Sequence, residues 1–289
     1  MKEKYHLHED WVVKERERGQ RLDHFIWEKL RQLPSKKWIQ RHVERNHCRF
    51  NGCIERFASK RLQLGDCIQW MHPATSEEVA LCRPTILFES SSLLVCNKPP
   101  HISCDQSSKG ILSHLLPSSS PLYLVHRLDR GTSGVLILAK SREKQRDLQQ
   151  MFSQRKIQKR YWAITDGVPT RPFGSCTHFL RKKNPSHHSS FPREYDIEPI
   201  GKPAVMRWKL LQKKGELALL ACMPRTGRTH QIRAQLALIQ LPLLGESLYN
   251  REGQKSLQFC SRPLLHAQRI TWYDPQEKRP YSFCAPPPL

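Results

Sequence analysis

The sequence predicts a mixed αβ protein, of the α+β or the α/β class, with a small N-terminal domain in front of a larger one. After a charged segment, residues 1–19, two helical patterns and a hairpin signal occupy residues 20–71. A proline-bracketed stretch without periodicity, residues 72–84, predicts a linker. Beyond it, short β-type runs alternate with helical patterns, which is typical of a sheet covered by helices. The 289 residues suffice for this arrangement.

The N-terminal domain is predicted from local patterns. Apolar residues recur at helical spacing over 21–33, and Ser35 is a capping residue ahead of a second helical pattern over 36–45. Asn51-Gly52 between two short β-type runs is a strong hairpin signal. The second helix bears four basic side chains, Lys36, Lys37, Arg41 and Arg45.

The order of these pieces resembles the S4-type RNA-binding module. Arg21-Leu-Asp opens the first helix, Pro34-Ser-Lys-Lys precedes the second, and Leu64-Gly-Asp precedes the last strand. The resemblance implies that the second helix and the following turn bind structured RNA, through Lys36, Lys37, Arg41 and Arg45. Taken without the resemblance, the same region also fits a basic surface on a generic small domain.

The charge of the chain indicates a polyanionic partner. There are 48 Lys and Arg against 26 Asp and Glu, which gives a formal net charge of +22, and nucleic acid is favoured over an anionic membrane. No apolar stretch approaches the roughly 18 residues of a membrane span, and the N-terminus does not resemble a signal peptide. We therefore expect a cytoplasmic protein. The ten cysteines lack metal-ligand spacing, so we expect reduced thiols and no metal.

The larger domain, residues 85–289, opens with two β-type runs that end near Lys98. Helical patterns follow over 142–152 and 229–239. The stretch from Arg171 to Pro203, with Pro, Ser, His and Lys clustered, is too long for an idle loop. It predicts short strands and an exposed basic insertion near 181–192.

One segment of this domain, Leu124–Lys140, places a single acid among arginines between two strand-like apolar runs. Arg127 and Arg130 flank Asp129, and their positive charges would lower its pKa and keep it ionised. Such a carboxylate is better suited to act as a nucleophile or electrostatic stabiliser than as a general acid. From this pattern alone, a structural salt bridge in a hairpin is the favoured alternative.

Two further patterns indicate binding of anions or nucleic acid. The run from Arg225 to Arg233 places several arginines near a predicted helix N-terminus, with Thr229 as its cap, and such a terminus is an anion site. A plain phosphate-facing patch fits this run equally well. The run from Lys156 to Gly167 mixes basic and aromatic residues, as readers of single-stranded RNA do, although a Tyr-Trp pair in a strand is more often part of a core.

Together these motifs resemble the RluA-type pseudouridine synthases. The signature is His126-Arg-Leu-Asp-x-x-Thr-Ser-Gly134, and further motifs follow the family order over roughly residues 85–275. These motifs are Asn97-Lys-Pro99, Lys159-Arg-Tyr161, Gly201-Lys-Pro-Ala204, Thr226-Gly-Arg-Thr-His-Gln-Ile-Arg233 and Leu265-His-Ala267.

The resemblance implies an α+β catalytic domain whose mixed, mostly antiparallel central sheet is flanked by helices. It also implies an isomerase that needs no cofactor, breaks the bond from ribose C1′ to uracil N1 in RNA, turns the base and rejoins it through C5. Asp129 would be the catalytic nucleophile, Tyr161 would pack on the target base, and Arg233 would pair with Asp129. The sequence leaves open whether Asp129 attacks C1′ or instead assists departure of the base. Arg127 would replace the extruded uridine in its helix. The other residues expected at the RNA are Arg130, Thr132, Arg228 and His230.

The sequence departs from the family pattern at two places. Pro100-His-Ile-Ser-Cys-Asp105 stands where Ala-Gly and an apolar run are usual, and Gly245-Glu246 stands where Gly-Asp is usual; both affect substrate positioning. A glycosidase generally needs two carboxylates, whereas the main signature has one. We expect a monomeric synthase acting on large-subunit ribosomal RNA. The alternatives are a synthase of transfer RNA and a non-catalytic RNA-binding factor for ribosome assembly.

Overall fold

The computed structural model describes residues 7–31, 33, 35–44, 47–55, 57–71, 84–105, 111–115, 121–181, 196–197, 201–246, 248–249, 260 and 262–288. The chain forms two compact units, which comprise Met1–Leu81 with Glu252–Ser261 and Cys82–Arg251 with Arg262–Leu289. Except for their end residues Pro84 and Arg181, the predicted linker and the predicted basic insertion lie outside the described residues.

The first unit combines an antiparallel sheet with two helices. Its described strands are β1 (Leu7–Val12), β2 (Cys48–Phe50), β3 (Cys53–Ile54) and β4 (Cys67–Met71), in the order β1-β4-β2-β3. The helices are α1 (Leu22–Lys29) and α2 (Lys36–Val43). The segment that we expected to precede the domain therefore supplies the edge strand β1.

Local signals set the elements of this unit. The Ser35 hydroxyl caps α2 by accepting a hydrogen bond from the Trp38 N–H at 3.1 Å, as predicted. Asn51 and Gly52 adopt the positive φ angles, 50° and 79°, of a tight hairpin turn. Asp23 of α1 accepts hydrogen bonds from Arg21 and from Gln40 of α2, which ties the two helices together. Apolar side chains of both helices and of the sheet fill the core: Leu22, Phe25, Ile26, Ile39, Val43, Ile68 and Trp70.

The second unit is built on one large sheet. Its described strands are β5 (Thr85–Glu89), β6 (Leu93–Lys98), β7 (Tyr123–Leu124), β8 (Ser133–Ala139), β9 (Gln158–Asp166), β10 (Phe173–Arg181), β11 (Asp196–Ile197), β12 (Lys202–Lys214), β13 (Leu217–Pro224), β14 (Leu265–Asp274) and β15 (Arg279–Cys284). The order is β11-β10-β12-β13-β9-β14-β8-β6-β5, with β15 beside β14 and β7 beside β8. The described helices are α3 (Ile111–Leu115), α4 (Arg142–Ser153) and α5 (Gln231–Leu238).

The sheet is mixed because β8 and β14 run parallel, while its other described ladders are antiparallel. This pairing places Ser133 beside His266 and Gly134 beside Ala267. The His266 Nδ1 lies 3.0 Å from the Ser133 hydroxyl, and its Nε2 donates to the Ala285 carbonyl at 3.0 Å. The structure thus confirms the expected α+β class with a mixed, mostly antiparallel sheet.

Two helices pack against the large sheet of the second unit. Leu148 and Met151 of α4 belong to the same core as Val135 and Ile137 of β8. Ile232 and Leu236 of α5 share a second core with residues of β9 and β13. The cysteines whose side chains the structure describes are free thiols: Cys48, Cys67, Cys96, Cys104, Cys176, Cys222, Cys260 and Cys284. No described helix is long and apolar enough to cross a membrane.

Candidate active site

Asp129 lies in the turn that joins β7 to β8. β7 pairs with the far end of β8, at Leu138 and Ala139, whereas the start of β8 is held by β6 and β14. The His126 Nε2 accepts a hydrogen bond from the Ile137 N–H at 3.1 Å, and burial, with the nearby charge of Lys159, lowers the His126 pKa to about 3. A neutral histidine therefore fastens the turn to β8. Thr132, which we expected at the RNA, is buried, and its N–H donates to the Asp129 carbonyl at 3.0 Å. Thr132 thus closes the turn rather than facing solvent.

The amine of Lys98, at the end of β6, joins this turn to the loop after β6. It donates hydrogen bonds to the carbonyls of Pro99 at 2.8 Å, Ile102 at 2.9 Å and Arg130 at 3.4 Å. Lys98 is fully buried, and burial lowers its pKa to about 8. Because all three acceptors are backbone carbonyls, the amine fixes the course of the chain on both sides of the site.

Two side chains from the predicted anion site face the Asp129 carboxylate. The Arg233 Nη1 lies 3.8 Å from Asp129 Oδ2, and the His230 Nε2 lies 3.8 Å from Oδ1. Both distances exceed those of hydrogen bonds; the contact with Arg233 is an ion pair, and the contact with His230 becomes one when the imidazole is protonated. The Asp129 side chain is 28% exposed, so a substrate can reach the carboxylate.

A second acid, Glu246, holds Arg233 in place. Its carboxylate accepts two hydrogen bonds from the guanidinium, from Nε at 2.7 Å and from Nη2 at 2.8 Å, and it is fully buried. Burial alone would raise the Glu246 pKa, but the hydrogen bond and charge of Arg233 outweigh it and lower that pKa. Glu246 also accepts from the Leu248 N–H at 2.8 Å. The bidentate pair leaves Nη1 of Arg233 directed toward Asp129.

His230 precedes α5 in a left-handed conformation, with φ 53°. Its Nδ1 lies 2.9 Å from the Tyr249 hydroxyl, while its Nε2 faces Asp129. The prediction of Thr229 as the helix cap was wrong, because the residue before the helix is His230 and its side chain makes no capping bond. Gln231 instead closes the turn by accepting from the Arg228 N–H at 3.0 Å.

Tyr161, on β9, supplies the aromatic surface beside the carboxylate. Its ring packs against the cores that contain Leu128 and Ile232 and stays partly accessible. Burial, with the negative charge of Asp129, raises the Tyr161 pKa. The phenol is therefore protonated at neutral pH and offers a flat, uncharged face.

Arginines surround the entrance to this site. Arg127 is exposed. Arg130 Nε donates to the His101 carbonyl at 3.0 Å, and the His101 N–H donates to the Arg130 carbonyl at 2.7 Å, which locks the two loops together. Arg228 Nε donates to the Pro203 carbonyl at 3.1 Å and is partly exposed.

In the N-terminal unit, α2 has one apolar and one basic face. Ile39 and Val43 are buried, whereas Lys36, Lys37 and Arg41 are exposed. This amphipathic arrangement leaves the basic side chains available to a polyanion. Arg45, the fourth predicted RNA contact on this helix, lies outside the described residues.

The arrangement offers one accessible carboxylate and one neutral aromatic ring. Asp129 and Glu246 both face the same guanidinium, but Glu246 is fully buried and occupied by Arg233. Hydrolysis of a glycosidic bond generally uses two carboxylates that both reach the substrate, and this pair does not. An accessible carboxylate beside a stacking surface suits attack on a sugar carbon whose base stays bound.

The sequence reasoning did not identify three residues at this site as functional. Lys98 was visible as a charged residue at the end of an apolar run, and Glu246 was visible as a departure from the family pattern. Buried charges are paired in most proteins. A charged residue at position 98 or 246 therefore suggests a partner elsewhere in the fold. Tyr249, which contacts His230, gave no such signal.

Comparison with known proteins places this geometry in a family. Residues 92–238 match the model of RNA pseudouridylate synthases. The ribosomal large subunit pseudouridine synthase C of Buchnera aphidicola subsp. Baizongia pistaciae is 30% identical over 301 aligned residues, which cover 95% of this chain and 92% of that protein. The protein of the same name from Vibrio vulnificus is 31% identical over 291 residues, covering 93% and 89%.

Two human structures share the fold. RNA pseudouridylate synthase domain containing 4 has a TM-score of 0.59 at 24% identity and covers 71% of this chain and 88% of its own. RNA pseudouridylate synthase domain containing 1 has a TM-score of 0.61 at 21% identity, with coverage of 75% and 86%. On the family match and the full-length relatives, the chain belongs to the RNA pseudouridylate synthase family and is an isomerase.

Proposed function

We propose that this enzyme converts specific uridines of large-subunit ribosomal RNA to pseudouridine. The observation that carries the proposal is similarity along nearly the whole chain: relatives named for the large ribosomal subunit align with 95% and 93% of it, at 30% and 31% identity. The net charge of +22 supports a polyanionic substrate. Transfer RNA is the second candidate. Either substrate implies work in the cytoplasm, and we propose a monomer.

Asp129 is the proposed nucleophile. Its carboxylate attacks ribose C1′ as the bond to N1 breaks, and the electron pair of that bond moves to the uracil. The base turns against Tyr161, C5 attacks C1′ and displaces the carboxylate, and C5 then loses its proton while N1 gains one. Arg233, fixed by Glu246, orients the carboxylate throughout. The detached base is retained, so no water is activated.

The target base must leave its stack to reach Asp129. Extrusion costs about a few kcal/mol, and least in loops. We propose that the exposed Arg127 occupies the space that the uridine vacates. Arg130, Arg228 and His230 lie around the same entrance and are proposed contacts of the RNA backbone or the target nucleotide.

The N-terminal unit is proposed to bind structured RNA. The exposed basic face of α2, with Lys36, Lys37 and Arg41, supports this role, and Arg45 is a further proposed contact. We propose an S4-like domain over residues 20–71 and a linker over 72–84, followed by a catalytic domain over 85–289.

Pseudouridine mapping tests the proposed function. Total RNA is prepared from cells without the gene and from the same cells carrying the wild-type gene, Asp129→Asn or Asp147→Asn. Carbodiimide-dependent reverse-transcription stops locate pseudouridine. Asp147 is a matched control because it is a partly exposed acid on α4 that accepts a hydrogen bond from the Gln276 side chain at 3.0 Å. We expect stops in large-subunit ribosomal RNA that disappear with the gene, return with wild type and Asp147→Asn, and do not return with Asp129→Asn.

Each other result overturns a specific part of the proposal. Stops lost from transfer RNA alone would replace the substrate. A map that Asp129→Asn restores would remove Asp129 as the nucleophile. A map that does not depend on the gene would leave an RNA-binding factor without the activity.

A further inference from the structure

A lysine amine lies at the site without an acidic partner among the described residues. Lys159 Nζ donates to the Thr226 carbonyl at 3.2 Å, and no described carboxylate forms a salt bridge with it. An ammonium has three N–H donors, so two are left for another acceptor. Burial lowers the Lys159 pKa to about 8, yet the side chain is partly accessible. Lys159 is therefore a partly accessible residue whose amine is largely desolvated.

Lys159 lies where three segments of the site meet. It shares a face of β9 with Tyr161, because alternate residues of a strand point the same way, and the two lie about 7 Å apart along the strand. Its charge acts on His126 at the start of the Asp129 turn. On a third side, a Cβ added to Gly227 would lie 3.7 Å from Nζ. Gly227, in the turn before α5, therefore lies next to the amine and has no side chain of its own there.

The charges around this amine favour an anion. Arg225 is exposed and Arg228 is partly exposed in the same turn. Asp129, the accessible carboxylate of the site, is paired with Arg233 and His230 rather than with Lys159. A lysine ammonium is a compact point charge that binds phosphate. A phosphate here would supply the counter-charge that the described residues do not.

We propose that the Lys159 amine binds a phosphate that flanks the target uridine, a proposal that rests on the placement of the target base against Tyr161 in the proposed function. The separation of Lys159 from Tyr161 along β9 is comparable to that between a base and its own phosphate. The contact would also have a role in the reaction. While the base is detached and turns, a fixed phosphate keeps ribose C1′ beside Asp129.

A double-mutant cycle between protein and RNA tests the contact. The RNA is a fragment taken from whichever molecule the mapping experiment identifies, made with a single neutral methylphosphonate on either the 5′ or the 3′ side of the target. The enzymes are wild type, Lys159→Met, Lys159→Arg and Lys213→Met, the last being an exposed lysine of β12. Dissociation constants and single-turnover rates are measured for every combination.

One of the two methylphosphonates should weaken wild-type binding about 10- to 100-fold, the range for a hydrogen bond between charged groups. Lys159→Met should show the same loss on unmodified RNA and no further loss on the neutral RNA. Its salt slope should fall by about 0.7, the value for one contact to single-stranded RNA. Lys213→Met should behave like wild type, and Lys159→Arg should keep its sensitivity to the neutral phosphate.

Additive losses at both positions would overturn the proposal, as would unchanged binding by Lys159→Met. Thermal unfolding is measured for each variant. Lys159→Met should stay folded, because it replaces a largely buried amine by an apolar side chain. A structural role would lower stability without coupling to a phosphate. Failure of the proposed function is a separate result, since wild-type enzyme would then modify no RNA.

Discussion

At the scale of single residues, Arg233 determines the geometry around Asp129. Glu246 takes its Nε and Nη2, and Nη1 is left 3.8 Å from Asp129. Both members of the inner pair are buried, so each charge depends on the other. The chain has this glutamate where the family that it resembles usually has aspartate, and the longer side chain still reaches both guanidinium nitrogens.

Glu246→Gln should therefore impair both activity and stability. The substitution keeps the size of the side chain but leaves a buried guanidinium uncompensated, which costs about 3–5 kcal/mol. We expect the single-turnover rate to fall by about tenfold or more, the equivalent of about 1.4 kcal/mol. Glu246→Asp keeps the charge and should lose less activity and less stability than Glu246→Gln. Rates on the mapped RNA and urea unfolding check this, and a fully active Glu246→Gln would contradict the positioning role.

Lys98 predicts a pH dependence of stability with a definite sign. Its folded pKa of about 8 lies below the ordinary lysine value of 10.5. Between these pH values the unfolded chain binds the extra proton, so the free energy of unfolding gains a contribution that rises with pH, by about 3 kcal/mol in full. Lys98→Met removes this contribution and also leaves three carbonyls without their donor. Urea unfolding at pH 7.5 and 9.5 should show the variant falling further behind wild type at the higher pH; an equal deficit at both would refute the assignment.

At the scale of elements, the parallel pairing of β8 with β14 brings the segment after the Asp129 turn against the C-terminal part of the catalytic unit. Gly134 makes the close approach possible. Its φ is 116°, and a Cβ there would lie 2.3 Å from the Ala267 carbonyl oxygen. The neighbouring bond from Ser133 to His266 joins the same two strands at 3.0 Å. The start of β8, directly after the Asp129 turn, is therefore held against β14 by close backbone contact as well as by this side-chain bond.

Gly134→Ala should destabilise the protein by about 3 kcal/mol or more, because it combines an unfavourable φ with a clash against backbone. Gly215→Ala is the matched control, since Gly215 also has a positive φ of 58° but nothing lies within 4 Å of an added Cβ. Gly215→Ala should lower the free energy of unfolding by about 1–2 kcal/mol, because only the unfavourable φ contributes. Equal losses in thermal unfolding would show that the close approach to β14 does not matter.

At the scale of the whole molecule, the net charge of +22 predicts binding to RNA that weakens steeply with salt. If α2 supplies phosphate contacts, replacing Lys36, Lys37 and Arg41 together by Gln should lower the salt slope by about 0.9 for each phosphate lost from duplex RNA. The single-turnover rate at saturating enzyme should hold. Replacing Lys213, Lys214 and Lys278 by Gln removes the same charge and is the control. Equal changes in the salt slope for the α2 variant and the control would indicate that RNA binding depends on the total charge and not on the basic face of α2.

The sequence by itself determined the features that depend on neighbours along the chain. Helix α2 begins after Ser35, the Asn51-Gly52 turn closes a hairpin, and Asp129 lies between two strands, all as predicted. Short-range signals suffice for these, because a cap or a turn is satisfied by atoms a few residues away. The family motifs likewise indicated Asp129, Tyr161 and Arg233.

The tertiary structure alone decided which distant segments meet and which charges are buried. Glu246 reaches Arg233 across 13 residues of chain, Ser133 meets His266 across 133, and the Lys159 amine meets the turn at Thr226 across 67. The cap predicted at Thr229 is not formed, because α5 begins at Gln231 and His230 occupies the capping position. Periodicity reports which face of an element is apolar but not which element covers it. The hydrogen-bond partners of a buried charge are therefore determined by tertiary packing and not by local sequence patterns.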